Sequence, residues 1–156
     1  MVPVFKEYFS GEEFLLTRSL QAFGWHCMRP IDWALNPADD LADDNVQAAQ
    51  LKCLGFDIDV AWFGIDCRNF SRVRDIPMKG MRPVRSDAHP AGLPDLPTKL
   101  AEDINSSNNL ASFVVRACRL LLRRGARFVI ENPENSYLWS MPDVRNLLDE
   151  QGVRDT

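Results

Sequence analysis

The chain reads as an α/β protein built on a parallel sheet. Four short apolar segments of strand character alternate with helix-patterned segments, the arrangement of βαβ units. The third strand segment is apolar almost throughout, as a strand covered on both faces must be. Three of the helical patterns close on a glycine, at Gly24, Gly55 and Gly125. A length of 156 residues allows one domain, 1–156, with a real core that needs neither disulfide nor metal.

The elements follow in order. VPVFKEYF is predicted as the first strand, breaking at Ser10-Gly11. EEFLLTRSLQAFG is the first helix: Phe14, Leu15, Leu20 and Phe23 recur at helical spacing, with Glu12 and Glu13 in the first turn. WHCMRPID is a second strand ending at Asp32. The acidic loop NPADDLADDN leads into the helix VQAAQLKCLG, and DIDVAWFGIDC is the third strand. Residues 66–103 break the rhythm with five prolines (Pro77, Pro83, Pro90, Pro94, Pro97) and no sustained periodicity, and a loop of that length is functional or disordered. The longest helix is expected from Asn105 to Arg124, with Leu110, Phe113, Val114, Ala117, Leu120 and Leu121 on one face. ARFVIEN is the fourth strand, ENPENSYLWSMP a loop, and PDVRNLLDEQG a last helix opening on Pro142 and Asp143.

Bulk properties narrow the function classes. Hydrophobic content of 46% and charged content of 26% are ordinary for a globular protein, and no apolar run is long enough for a membrane span. The start lacks the charged and apolar regions of a signal peptide. Cys27, Cys53, Cys67 and Cys118 are scattered, without a CxxC pair, which argues against structural zinc or a disulfide framework. The expectation is an intracellular protein, nuclear or cytoplasmic, with no membrane and no metal. The net charge of −4 is uneven: residues 60–130 carry 12 basic and 6 acidic side chains, so a positive middle can attract a polyanion. Arg116, Arg119, Arg123 and Arg124 on the long helix contribute to it, or form a solvated face.

In an open parallel sheet, ligands bind at the carboxyl ends of the strands. Those ends read Phe9-Ser10-Gly11, then Asp32, then Asp66-Cys67, then Glu131-Asn132-Pro133. A small-residue turn before a helix suits a nucleotide-like cofactor, and an acid at the second strand suits a ribose diol. Asp32 reads equally as a turn or helix cap. A cysteine at a third strand end is a candidate nucleophile or core filler, and Glu131 is a candidate acid.

The order FSG, acid, xCxxFS, ENP is similar to that of the DNA cytosine-5 methyltransferases. The segments CRNFSRVR (67–74), VRSDAHPAGLP (84–94), SNNLASF (107–113) and ENPENSYLW (131–139) resemble more closely the methyltransferase-like domains of retroelement-associated eukaryotic proteins, and the likeness spans residues 4–148. The resemblance implies a Rossmann-like parallel sheet with helices on both faces, S-adenosylmethionine as cofactor and DNA containing cytosine as substrate. It implies that Cys67 adds to cytosine C6 while Glu131 holds the N3 edge, on a base taken out of the stack. Phe9, Ser10 and Gly11 would cradle the methionine end of the cofactor, Asp32 the ribose, with Asp40-Leu41 by the adenine. Asn132 and Pro133 would direct the glutamate. Arg68, Arg72, Arg74, Arg82 and Arg85, with Ser71 among them, would meet phosphates from the long 66–103 loop.

Three departures stand against the family pattern. Asp66 replaces the proline before the cysteine, and FSGEEF lacks a second glycine. The C-terminal strands, a later arginine-containing motif and the target-recognition region are lacking, which implies a truncated copy with an open sheet edge prone to homo-association. The alternative function is therefore a catalytically inactive nucleic-acid-binding or interaction module, a fragment of a mobile-element polyprotein. Other enzymes fit less well. A phosphatase C-x5-R loop would need arginine where Val73 stands, only His26 and His89 are available as a protease base, and there is no P-loop.

Overall fold

A computed structural model of the chain describes residues 2–55, 57–76 and 82–154; Pro77 of the long loop lies outside the described residues. The chain divides into two compact units, Met1–Ile65 with Arg116–Glu131, and Asp66–Val115 with Asn132–Thr156.

The first unit carries the sheet. Strands β1 (Val4–Tyr8), β2 (His26–Cys27), β3 (Val60–Phe63) and β4 (Arg127–Ile130) pair in the order β2-β1-β3-β4, every pair parallel. This is an α/β, Rossmann-like arrangement. Helices α1 (Leu15–Ala22) and α2 (Asp44–Cys53) flank it. Successive strand residues point to opposite faces, and β1 shows which helix covers which. Glu7 Oε2 accepts from the Thr17 N–H (2.9 Å) and hydroxyl (2.5 Å) of α1. The next residue, Tyr8, donates its hydroxyl to Gln50 of α2 at 3.3 Å, and its ring stacks on Phe63 with centroids 5.0 Å apart. The two helices therefore lie on opposite faces, as the family resemblance implies. Lys6, only 4% exposed, donates to the Arg29 carbonyl at 2.6 Å, and burial pushes its pKa down to about 8.

Local chemistry moves several boundaries. Phe14 adopts the left-handed conformation (φ 36°), so α1 starts at Leu15 and Glu12 and Glu13 precede the helix instead of filling its first turn. Strand β2 stops after two residues because Pro30 has no N–H to donate, and the chain rejoins the sheet at Ile31 through a single bridge to Tyr8. Asp43 caps α2, its carboxylate accepting from Asn45 N (2.7 Å) and Val46 N (3.3 Å). Arg116 and Arg124 brace α2 by donating to the Gln47 side chain and the Leu54 carbonyl, so these two do more than line a solvated basic face.

The second unit is mainly helical. The long helix α3 (Thr98–Arg123) begins seven residues before the expected Asn105, directly after Pro97, so the irregular segment is shorter than 66–103. Its apolar stripe extends back to Ile104, 2% exposed. Phe70, Val84, Phe113, Tyr137, Leu138, Val144 and Leu147 are among the unit's other buried residues. Single 3₁₀ turns at Arg72–Asp75 and Tyr137–Ser140 are capped by Ser71 and Ser136, whose hydroxyls accept from Val73 N and Leu138 N. Helix α4 (Pro142–Leu148) opens on its proline. Trp139 is half-buried, with its indole N–H on the Pro133 carbonyl at 2.8 Å, while its neighbours Tyr137 and Leu138 fill the core. Among the described residues no helix is long and apolar enough to cross a membrane.

Candidate functional site

In the first unit, β1 sits where the strand order reverses: the chain leaves it toward β2 on one side, and β3 lies on the other. The crevice outside the carboxyl ends of β1 and β3 is where such sheets bind ligands. The loop leaving β1 is contorted, with Phe9 (φ 58°), Gly11 (φ 67°) and Phe14 (φ 36°) all left-handed. For the two phenylalanines that conformation costs about 1–2 kcal/mol each. The loop is held by Phe9 N–H on the Ile31 carbonyl (2.8 Å) and by Gly11 N–H on Asp32 Oδ2 (2.9 Å). Asp32 Oδ1 accepts from Ala34 N at 2.8 Å, so this acid is both a turn cap and a clamp on the loop. Each carboxylate oxygen keeps a second lone pair for a hydroxyl. Ser10 donates to the Gly11 carbonyl at 3.2 Å, and a Cβ built on Gly11 would meet nothing within 4 Å, leaving open space over the loop.

Glu131 extends the ladder from β4, its N–H on the Phe63 carbonyl at 2.9 Å, and its side chain is exposed. Gly64, which sequence reasoning passed over, governs its surroundings. A Cβ there would lie 3.4 Å from the Phe9 carbonyl, 3.5 Å from Trp62 Nε1 and 3.8 Å from Glu131 Oε2. Gly64 thus marks where the first loop and the candidate acid come close to the end of β3. The sequence signal was a lone glycine at the end of an apolar strand, which marks a close approach. Glu12, Glu13, Asp32 and Glu131 have no ion-pair partner among the described residues. This acidic end of the sheet suits a ligand bearing positive charge and disfavours a pyrophosphate. S-adenosylmethionine, with a sulfonium and an ammonium, fits these residues. Of the expected adenine neighbours, Asp40 is half-buried and accepts from Ala42 N at 2.9 Å. Leu41 is 4% exposed, its side chain in the core and its carbonyl holding Gln47 Nε2 at 2.7 Å.

In the second unit, Cys67 is half-buried and lines an open groove of about 800 Å³ together with Asn69, Ser71, Arg74, Ser107 and Leu110. Asp66 Oδ1 accepts from Arg68 N (2.9 Å) and Oδ2 from Arg68 Nε (2.7 Å), closing a turn around the cysteine. Burial pushes the Asp66 carboxyl up, but the Arg68 hydrogen bonds outweigh it and hold the group below the usual carboxylate range. The anion that departs from the family pattern is thus paired with its own neighbour. The turn closes with Phe70 N–H on the Cys67 carbonyl at 2.9 Å. Asn69 bridges Ser107 Oγ (2.8 Å) and Arg74 Nη1 (3.0 Å) across the groove floor.

The remaining arginines divide. Arg72 pairs with Asp87, donates to the Asn135 carbonyl at 3.0 Å and lies 4.1 Å over the Tyr137 ring. Arg82 is exposed and donates to the Asp95 carbonyl at 3.4 Å. Arg85 corrects the sequence reading, which turned it outward to phosphate. It is 1% exposed, donates to the Asn69 carbonyl (2.6 Å), the Pro90 carbonyl and Asn108 Oδ1 (2.9 Å), and lies 4.2 Å over the Phe70 ring. Its Nη2 is buried without a hydrogen-bond partner among the described residues, and burial lowers the group's pKa to about 10. Asn132 is half-buried, and the Pro133 carbonyl accepts from both Ser136 N and Trp139 Nε1. A smaller hollow of about 340 Å³, lined by Val2, Trp25, Asp59 and Arg127, lies at the amino ends of the strands, the end this architecture does not use for ligands. Compared with protein-family models, with curated proteins and with solved structures, the chain matches none.

Proposed function

We propose that the chain is an S-adenosylmethionine-dependent methyltransferase domain acting at C5 of cytosine in DNA. The observation that carries this reading is the carboxyl end of the sheet: a left-handed loop clamped by Asp32, a glycine where that loop comes close to Glu131, and an acidic rim suited to a sulfonium. Cys67 follows β3 by four residues along the chain and Glu131 follows β4 by one. In this reading Asp32 holds the ribose hydroxyls and the Phe9–Gly11 backbone holds the amino-acid end. The cofactor supplies an electrophilic methyl group to C5. Cys67 Sγ bonds to C6, which makes C5 nucleophilic, while Glu131 hydrogen-bonds the N3 edge so that charge does not accumulate on the ring. Loss of the C5 proton then breaks the Cys67–C6 bond and frees the thiol.

Calorimetric titration with S-adenosylmethionine tests the cofactor step. Micromolar binding, weakened by about 1–3 kcal/mol in Asp32→Ala, is the expected result. An oligonucleotide with fluorine at cytosine C5 cannot lose the C5 proton, so a covalent adduct on Cys67 that is absent in Cys67→Ala is expected next. A folded protein that binds no cofactor and forms no adduct would overturn the enzyme reading.

Asp66, which stands where the family pattern has proline before the cysteine, favours a second reading, a module of the same fold without turnover. Arg68 and Arg72 are paired with carboxylates and Arg85 is buried, which leaves Arg74 and Arg82 as the groups with the fewest commitments for phosphate. Nucleic-acid binding that persists in Cys67→Ala and ignores S-adenosylmethionine would identify that module.

A further inference from the structure

The two edges of the sheet are unlike. At one edge β2 is two residues long and is followed by Pro30, so it offers little to a partner strand. At the other, β4 offers Arg-Phe-Val-Ile, with Val129 40% exposed and Phe128 and Ile130 only half-buried. In the parallel ladder with β3, the N–H groups of Arg127 and Glu131 reach the Asp59 and Phe63 carbonyls. Backbone groups alternate sides along a strand, so the N–H and C=O of Phe128 and Ile130 point to the open edge. Among the described residues they meet no partner there. Natural edges are blunted by charge, proline or bulges. This one is apolar and has charges only at its ends, Arg127 and Glu131, both exposed and neither in an ion pair among the described residues.

We infer that β4 is the docking edge for a second copy of this chain, pairing antiparallel with its counterpart about a two-fold axis at Val129. The register follows from the chemistry. With Val129 opposite Val129, Phe128 of each copy lies opposite Ile130 of the other, and the outward N–H and C=O groups of both residues are satisfied reciprocally. The same register sets Arg127 opposite Glu131 twice, at positions where the strands do not exchange hydrogen bonds and side chains approach most closely. Shifting the strands by two residues in either direction loses both ion pairs and half of the hydrogen bonds. The strand is thus complementary to itself in apolar contact, hydrogen bonding and charge, the condition for an isologous dimer. A carboxylate accepts on both oxygens, so Arg127 of the second copy leaves Glu131 an acceptor for a substrate.

Sedimentation equilibrium of the full chain under reducing conditions, across micromolar concentrations, is the test. The wild type is expected to dimerise. Arg127→Glu and Glu131→Arg each turn two attractions into two repulsions and are expected to weaken the dimer roughly tenfold or more. The double variant, with the charges exchanged, is expected to restore it. Both positions are exposed, and circular dichroism will show each single variant folded. A monomeric wild type, or a dimer indifferent to the single exchanges or not rescued by the double one, overturns the proposal. These outcomes are independent of cofactor binding and of the cysteine adduct.

Discussion

Replacing Arg85 with alanine separates a structural arginine from a phosphate-binding one. The side chain is 1% exposed and donates to two backbone carbonyls and to Asn108. Stranding those two carbonyls costs about 2–4 kcal/mol. Loss of the contact with the Phe70 ring costs about 1–2 more, and the vacated stem volume about 1–2. Against this, a buried charge with no carboxylate partner is relieved. A pKa pushed down to about 10 corresponds to about 3 kcal/mol of unfavourable burial that disappears with the guanidinium. The balance is a destabilisation of about 1–5 kcal/mol, centred near 3. Urea denaturation reads it as a fall in midpoint of about 1–2 M at unchanged slope. Arg85→Met retains the stem over Phe70 and is expected to lose about half as much. If Arg85→Ala unfolds within 0.5 kcal/mol of the wild type while its DNA binding weakens, the burial argument fails and the residue returns to the phosphate-facing set.

Three further outcomes are expected. Thr17→Val leaves the buried Glu7 carboxylate with the Thr17 N–H but no hydroxyl, and should lower stability by about 1.5–3 kcal/mol in the same urea assay. Lys6 has its pKa lowered to about 8 by burial, whereas an unfolded lysine keeps its proton to about 10. Between those values the unfolded chain holds more protons, so Lys6 makes stability rise with pH, by up to about 2–3 kcal/mol. Lys6→Met should flatten that rise between about pH 8 and 9.5, below the range where the raised tyrosyl pKa of Tyr8 acts in the opposite sense. Under iodoacetamide in native buffer, mass spectrometry should find Cys67 alkylated well before Cys118, which is fully buried in α3; equal rates would mean that α3 is not packed as described.

Much of the fold was legible because its signals are local. The apolar runs around Phe5, Ala61 and Val129 announced β1, β3 and β4, and Pro142 announced α4. The clamp of Asp32 on Gly11 was legible only in part: a cap was foreseen as one of two readings, its reach to the first loop was not. What escaped depends on contacts far along the chain. Nothing in Val-Arg-Ser-Asp distinguishes a buried Arg85 from a solvated one, because its acceptors come from Asn69, Pro90 and Asn108. The early start of α3 was hidden because TKLAEDI (98–104) follows directly on the proline-rich segment and offers only Leu100, Ala101 and Ile104 as apolar positions. Phe14 carries no local sign of its left-handed backbone, which displaces the expected first turn.

The sheet topology also sets the order in which the chain can assemble. Phe5 pairs with Val60, 55 residues later, and Val60 pairs with Arg127, 67 residues later again. Closing loops of that length precedes any return in hydrogen bonds, which slows folding relative to the local α3 that forms between the last two strands. On a ribosome adding about 5–20 residues per second, β3 waits for β4 for several seconds. During that interval the outer edge of the nascent sheet is Val-Ala-Trp-Phe, more apolar than the edge that finally replaces it. The period of greatest aggregation risk is therefore the passage of residues 64–126 through the exit tunnel, and arrival of the Arg127–Ile130 strand ends it.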